Sequence, residues 1–136
     1  MNLPWEECEM AMDGEIKVYN VFSSKSVGTG ATVKSDPIDL SLRARNGNLG
    51  LQYYITSDGS PAIDIKYELS IDGSNYVTPG SGANLATGLT KASGTSGRDV
   101  LDITAEIEFA KWMKLVLTET ASDATGATVT LDLAMQ

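Results

Sequence analysis

Acidic side chains are the most reactive groups in this sequence, and two pairs of them have a spacing that could serve acid–base catalysis. Asp99 and Asp102 form one pair, and Glu106 and Glu108 form the other. Two carboxylates that flank a glycosidic bond can hydrolyse it. On a β-strand, residues two apart share a face and residues three apart do not, so only Glu106 and Glu108 would be neighbours. We favour solvated surface charge for both pairs and expect no enzymatic activity.

Histidine is absent from the chain, and Cys8 is the only cysteine. Histidine is the commonest general base and metal ligand, so its absence excludes Ser–His and Cys–His nucleophile systems. A single cysteine also excludes an internal disulfide and a zinc site built from several cysteines.

Oxygen ligands that suit calcium occur at Asp58, Asp64, Asp72 and Asn75. Calcium loops typically have an Asp-x-Asp-x-Asp-Gly run with a closing Glu, and this sequence has none. Asp58-Gly59 and Asp72-Gly73 are Asp-Gly pairs, which supply the positive φ of a tight turn and so have a structural explanation. We therefore predict turns at these two pairs, with no metal ion and no cofactor.

Two arginines and two aromatic residues have side chains suited to binding. Arg43 and Arg45 are two apart and would share one face of a strand, where cross-strand salt bridges or an acidic partner subunit are the two explanations. Trp112 and Tyr76 have rings that can stack on sugars, but a small β domain also needs large aromatic residues inside. We favour a core position for Trp112.

The elements that position these residues have the period-two pattern of β-strands. Alternating large apolar residues between positions 63 and 71 predict a strand with five side chains in the core: Ile63, Ile65, Tyr67, Leu69 and Ile71. Asp72-Gly73 then predicts a tight turn, with a return strand that starts at Ser74.

Further strand-like runs follow one another at short intervals along the chain. They lie at 16–23, 38–45, 49–55, 101–107, 112–120 and 129–135, and Asn46-Gly47 predicts a two-residue hairpin between the second and third. About eight strands with regularly spaced turn signals indicate an all-β chain, an antiparallel β-sandwich or jelly roll. A closed barrel is the alternative, because period-two patterning does not distinguish the two architectures.

We divide the chain into an extended N-terminal arm, residues 1–14, and a single β-sandwich domain, residues 15–136. The arm is acidic but also apolar, and we expect it either to fold back on its own domain or to dock on another subunit. Its candidate contact residues are Leu3, Pro4, Trp5 and Met10.

Residues 79–99 are mostly Gly, Ser, Thr and Ala, and they predict a long loop within the domain. Leu85 and Leu89 are the only large apolar residues up to position 97. Long loops of this kind are often functional, so we predict that both leucines contact a partner.

The net charge excludes one large class of partner. Ten Lys and Arg residues against eighteen Asp and Glu residues give a net charge of −8 in 136 residues, which repels a phosphate backbone. The first residues have neither the cationic nor the apolar part of a signal peptide, and no apolar run reaches membrane-spanning length. We expect no nucleic acid partner, no membrane partner and no secretion signal.

The sequence resembles the small virion proteins of tailed bacteriophages, and most of all their capsid decoration or cement proteins. The resemblance combines an acidic, histidine-free β domain, an apolar arm and a long Gly/Ser/Thr loop, and it is carried by residues 35–40 through 67–76. It implies a sandwich or jelly roll that sits on the outer surface of a capsid and bridges major capsid protein subunits. The hairpin at 69–76 is also similar to one found in carbohydrate-binding sandwiches, including discoidin-like domains.

The resemblance implies a structural function for this chain. We expect a virion protein, made in the host cytoplasm, that stabilises the capsid and forms a homo-oligomer on the particle. The contacts with the major capsid protein would come from the arm, the two leucines of residues 79–99, and Arg43 and Arg45. The alternative is a carbohydrate- or receptor-binding module of a phage tail or fibre.

Overall fold

Nine antiparallel β-strands form two sheets in the computed structural model, which describes residues 16–41, 47–79, 84–107 and 109–136. The four-stranded sheet has the order β1-β9-β4-β7, and the five-stranded sheet has the order β2-β8-β5-β6 with β3 also paired to β8. No helix occurs in the described ranges. The strands are β1 Lys17–Val27, β2 Thr32–Lys34, β3 Ile38–Asp39, β4 Leu49–Thr56, β5 Ile63–Ser70, β6 Asn84–Leu89, β7 Arg98–Asp102, β8 Trp112–Glu119 and β9 Ala127–Met135. The prediction of an all-β antiparallel sandwich is confirmed, with nine strands where about eight were expected.

The core lies between the two sheets and is built from the inward residues of alternating strands. On β4, every second residue is buried while the residues between them face outward. On β5 the same alternation buries Ile63, Ile65, Tyr67 and Leu69. Ile71 was expected to be the fifth core residue of this run, but it is 68% exposed. The prediction is wrong there because β5 ends at Ser70, and the chain turns before Ile71 can continue the inward face.

Most connections cross from one sheet to the other, so the loops gather at the two ends of the sandwich. One end, which we call the carboxylate end, holds the connections 28–31, 57–62, 90–97 and 120–126. The other, which we call the chain-entry end, holds the described parts of three connections, at 40–41 and 47–48, at 71–79, and at 103–107 and 109–111, together with the described chain ends Ile16 and Gln136.

The predicted hairpin at Asn46-Gly47 differs from the structure. β3 pairs with β8 in one sheet and β4 pairs with β9 and β7 in the other, so Asn46-Gly47 does not join neighbouring strands as a hairpin. A period-two pattern shows which face a residue occupies, but it does not identify the partner strand. Residues 42–46 lie outside the described residues.

The predicted loop over residues 79–99 contains the whole of β6 and the beginning of β7. β6 is an edge strand that pairs with β5 through an irregular register. Backbone pairing with β5 gives this segment its strand conformation although its Gly, Thr and Ala side chains lack a strand-like pattern.

The Asp72-Gly73 turn is present, and Gly73 has the positive φ of 79° that the pair predicts. The return strand is limited to one pair of backbone hydrogen bonds between Val77 and Leu69, each 2.9 Å. The long neighbours of β5 are β8 and β6 instead.

Candidate interaction surfaces

A buried glutamate joins three loops at the carboxylate end. Glu119, the last residue of β8, is only 2% exposed. Its carboxylate accepts hydrogen bonds of 2.8 to 3.2 Å from the backbone N–H groups of Gly30, Ala62, Ala121 and Asp123. The bond from Gly30 is foremost among those that hold the pKa of Glu119 below its ordinary value of 4.5, against the opposing effect of burial. This carboxylate therefore serves the fold.

A second carboxylate at the same end is also occupied by the chain itself. Asp123 accepts hydrogen bonds from the hydroxyl of Thr125 at 2.6 Å and from the backbone N–H groups of Thr125 and Ser60 at 2.9 and 2.8 Å. These bonds, that of the Thr125 hydroxyl first, lower the pKa of Asp123. The carboxylate end is thus held together by its own polar groups.

The four residues considered as calcium ligands do not form one site. Asp72 and Asn75 share a turn, in which Asn75 donates to Asp72 through its backbone N–H and its side-chain amide at 2.8 and 2.7 Å. Asp64 accepts a hydrogen bond from the backbone N–H of Gly88, and Asp58 lies in a connection at the carboxylate end. The described residues contain no group of three or more His, Cys, Asp or Glu that could hold a metal ion.

The acidic pair on β7 is separated by the strand geometry. Asp99 lies opposite the buried Tyr53, and Asp102 lies opposite Gly50, which belongs to the outer face of the sheet. The two carboxylates therefore belong to opposite faces, as the three-residue spacing predicts. In the other pair, Glu108 lies outside the described residues.

Trp112 lies at the surface, in contrast to the core position that we expected. It begins β8 and is half-buried, while the next residue, Met113, points into the core and is fully buried. The ammonium group of Lys111 lies 5.0 Å from the centroid of the Trp112 ring, and that of Lys114 lies 4.4 Å from the centroid of Tyr76. One face of each ring is therefore engaged in a cation–π contact.

The structure describes two of the eight residues that we predicted to contact a partner. Leu85 and Leu89 lie on β6, where both are half-buried and pack against the core. Packing within the chain thus explains why large apolar residues occur at these positions. The other six lie outside the described residues: Leu3, Pro4, Trp5, Met10, Arg43 and Arg45.

Three exposed apolar side chains gather at the chain-entry end. Phe109 is 95% exposed, Ile71 is 68% exposed and Val77 is 61% exposed. All three line one surface groove together with Leu69 and Pro79. We call Ile71, Val77 and Phe109 the apolar patch. The sequence does not reveal this patch, because no periodic pattern joins residues on two separate connections.

A second apolar surface lies on the outer face of the four-stranded sheet. It is a shallow depression of about 240 Å³ lined by Gly50 of β4, Ala134 of β9, Val100 and Leu101 of β7, and Ile16. We call it the Gly50 depression. Ile16 and Val100 are also exposed to solvent, at 57% and 66%.

None of the described segments is a helix with the length and apolar character to cross a membrane.

Comparisons with known proteins identify a fold and no family. No family model matches the chain, and neither does any curated protein. Among solved structures, the chain is similar to the VP2 subviral particle of infectious bursal disease virus, with a TM-score of 0.54 and 14% identity over 90% of this chain. The SPBc2 prophage-derived protein YomS is similar with a TM-score of 0.40 and 10% identity, over 88% of this chain and 93% of that one. This chain spans 33% of the VP2 chain. The likeness therefore shows only that this chain shares a β fold with one part of a longer protein.

Proposed function

We propose that this chain is a structural virion protein that decorates the outer surface of a bacteriophage capsid and stabilises it by bridging major capsid protein subunits. The observation that carries the proposal is the apolar patch. Contiguous exposed apolar groups on a soluble domain mark sites of protein–protein contact. Their position on connections at a single end allows the molecule to stand on a shell while the opposite end faces solvent.

Burial of the apolar patch would contribute favourable free energy to a complex. Burying a Phe side chain that is exposed in the free protein stabilises a complex by about 1.5–3 kcal/mol, and Phe109 is almost wholly exposed. One such contact gives weak binding, but copies arranged with the symmetry of a capsid act together on the same shell. Copies joined to one another as a homo-oligomer would strengthen this effect.

Charge and fold support the same proposal. A net charge of −8 disfavours contact with packaged nucleic acid and suits a protein made in the host cytoplasm and displayed on the particle exterior. The fold likeness to part of the VP2 subviral particle chain supports a virion role, because it provides a precedent for this sandwich in a virus particle.

The alternative, a carbohydrate- or receptor-binding module, has less support from the surface. Sugar binding on aromatic platforms needs free ring faces. At Trp112 and Tyr76, the ammonium groups of Lys111 and Lys114 lie over one face of each ring.

The proposal is tested by co-sedimentation of the full chain with capsid shells from the virus that encodes it, after the shells have been stripped of this protein. Phe109→Ser removes the most exposed apolar group of the patch. We expect the Kd of this variant to rise roughly ten- to hundredfold, since about 1.4 kcal/mol corresponds to a factor of ten. The matched control is Tyr54→Ser, which removes a surface aromatic residue from the outer face of the four-stranded sheet.

The expected result is weaker sedimentation of Phe109→Ser and unchanged sedimentation of Tyr54→Ser, with both variants folded by circular dichroism. Failure of the unaltered chain to bind shells would refute the proposal. Binding to a glycan array in the absence of shell binding would establish the alternative module in its place.

A further inference from the structure

The fold of the chain does not require a glycine at position 50. It lies on β4 between β9 and β7, and its backbone does not have the positive φ that favours glycine. A Cβ added there would meet one atom within 4 Å, the carbonyl oxygen of Leu101 at an ordinary contact distance of 3.6 Å. Glycine within a strand is less stable than alanine by about 0.5–1 kcal/mol. The sequence therefore keeps a destabilising residue at a position where the fold would accept a side chain.

Other glycines of the chain are explained locally, which makes the contrast informative. Gly97 and Gly126 have φ values of +84° and +66°, and a Cβ on either would lie within 2.5 Å of a backbone carbonyl oxygen. A strand glycine without such reasons often marks a place where another backbone or a ligand approaches closely. At Gly50 the approach is possible only from the outer face of the four-stranded sheet, because the inner face is the core.

The surroundings of Gly50 have the chemistry of a protein docking site. Register places Val18, Ala134, Gly50 and Asp102 in one cross-strand row, so small and apolar groups occupy the middle of the sheet. Val100 and Ile16 add exposed apolar surface beside this row. Four polar residues also line the depression: Asn48, Asp102, Thr104 and Gln136.

We propose that the Gly50 depression receives the arm of a second copy of this chain, with residues 1–12 as the docking segment. The described chain begins at Ile16, which itself lines the depression, so the arm joins the fold at the edge of the site. The apolar side chains of the arm suit an apolar depression: Leu3, Trp5, Met10 and Met12.

The reach of the arm is sufficient for exchange between copies. Fifteen residues precede Ile16, and an extended chain of that length spans up to about 50 Å. An eight-residue strand such as β4 spans only about 27 Å. Two copies placed with their four-stranded sheets towards each other would therefore exchange arms reciprocally, which closes a twofold dimer. This inference does not depend on a capsid, because both the site and its occupant belong to this chain.

Cys8 supplies a test within the full chain, because it is the only cysteine and lies in the docking segment. The unaltered chain is mixed with a second copy that carries Cys8→Ser and Val100→Cys, and the mixture is treated with the thiol oxidant diamide. Arm exchange predicts a mixed disulfide dimer, identified by mass spectrometry of the peptides that contain Cys8 and the new thiol. The matched control uses Thr32→Cys, an exposed position on β2 in the other sheet, and should give no mixed dimer above background.

A second variant tests the depression without relying on the cross-link position. Gly50→Val adds an outward side chain that fills the depression, whereas Gln52→Val adds a similar side chain two residues further along the same face. We expect Gly50→Val, with the circular dichroism spectrum of the unaltered chain, to be monomeric in analytical ultracentrifugation, while Gln52→Val stays dimeric.

Three results would overturn the inference. The first is a monomeric unaltered chain, and the second is a dimer that persists in Gly50→Val. The third comes from a single chain that carries both Cys8 and Val100→Cys: if this chain forms only an internal disulfide, the arm folds back on its own copy.

Discussion

Ser35 provides a strong quantitative test of the structure, because its side chain replaces a missing strand partner. β2 and β3 both pair with β8, and the chain between them leaves the ladder. At this gap the backbone N–H of Ser35 donates to the carbonyl of Leu115 at 2.8 Å, and the Ser35 hydroxyl oxygen accepts from the N–H of Leu115 at 2.9 Å. Both residues are buried, at 7% and 0% exposure, so water cannot easily take over the second bond.

Ser35→Ala removes the acceptor of a buried N–H group. Leaving such a donor unsatisfied costs about 1–3 kcal/mol. Unfolding entropy is about 2.1 cal/mol/K per residue, which for 136 residues converts this cost into a fall in Tm of roughly 3–10 °C. The hydroxyl also donates to the carbonyl of Asp36 at 2.9 Å. That carbonyl belongs to an exposed residue, so water can replace the lost donor and the effect is small.

The assay is urea unfolding at neutral pH, combined with hydrogen exchange at the Leu115 amide. We expect the urea midpoint to fall while the m-value stays unchanged, because the surface exposed on unfolding is nearly the same. The Leu115 amide should also exchange faster than in the unaltered chain. The control is Ser26→Ala, an exposed serine on β1, which should change stability by less than about 0.5 kcal/mol. If Ser35→Ala matches this control and the Leu115 amide keeps its protection, the proposed role of the Ser35 hydroxyl is wrong.

Three further predictions concern other parts of the fold. Glu119→Gln should lower Tm at pH 7, and the difference in Tm from the unaltered chain should shrink as the pH falls below 4.5. The reason is that the pKa of Glu119 is lowered by folding, so its stabilising effect is present above the ordinary pKa and is lost as the pH falls through the pKa of the folded state. If the Tm difference between the two proteins stays constant from pH 7 to pH 3, this prediction is wrong. Gly97→Ala should lower the free energy of unfolding by more than about 1–2 kcal/mol. The new methyl group would lie 2.4 Å from the carbonyl oxygen of Ile55, in addition to the strain of a positive φ. Gly30 also has a positive φ but no neighbour within 4 Å of an added Cβ, so Gly30→Ala should lower the free energy of unfolding by less, as measured by urea unfolding. Leu131→Ala empties a fully buried position on the central strand β9 and should cost about 2–5 kcal/mol by the same measurement, so a loss below 1 kcal/mol would contradict the core packing.

The sequence predicted the strands whose inner and outer faces differ most. β4 and β5 have a clean alternation, and their buried residues agree with it up to the end of each strand. Side-chain patterns do not predict the strands that form mainly through backbone pairing with a distant strand. Nothing in the side chains of residues 84–89 shows that β6 pairs with β5, and nothing in the short apolar pair of β3 shows that it belongs to β8.

The candidate surfaces were harder to predict for a related physical reason. Ile71, Val77 and Phe109 belong to two different connections, and only the folded chain brings them together. Gly50 is conspicuous only after the structure shows that its φ and its neighbours do not require glycine. Trp112 was placed in the core because large aromatic residues usually are, whereas its position in the register of β8 puts it on the outer face.

If the chain attaches to a shell through the apolar patch, as we propose, the difference between the two ends of the sandwich would limit how far an assembly grows. Glu119 and Asp123 direct their carboxylates to the loops of their own end, so these two groups are committed to the fold. Attachment through the chain-entry end alone would coat a surface to one layer, because growth of a filament end to end needs complementary surfaces at both ends. Coating would then stop once the surface is covered.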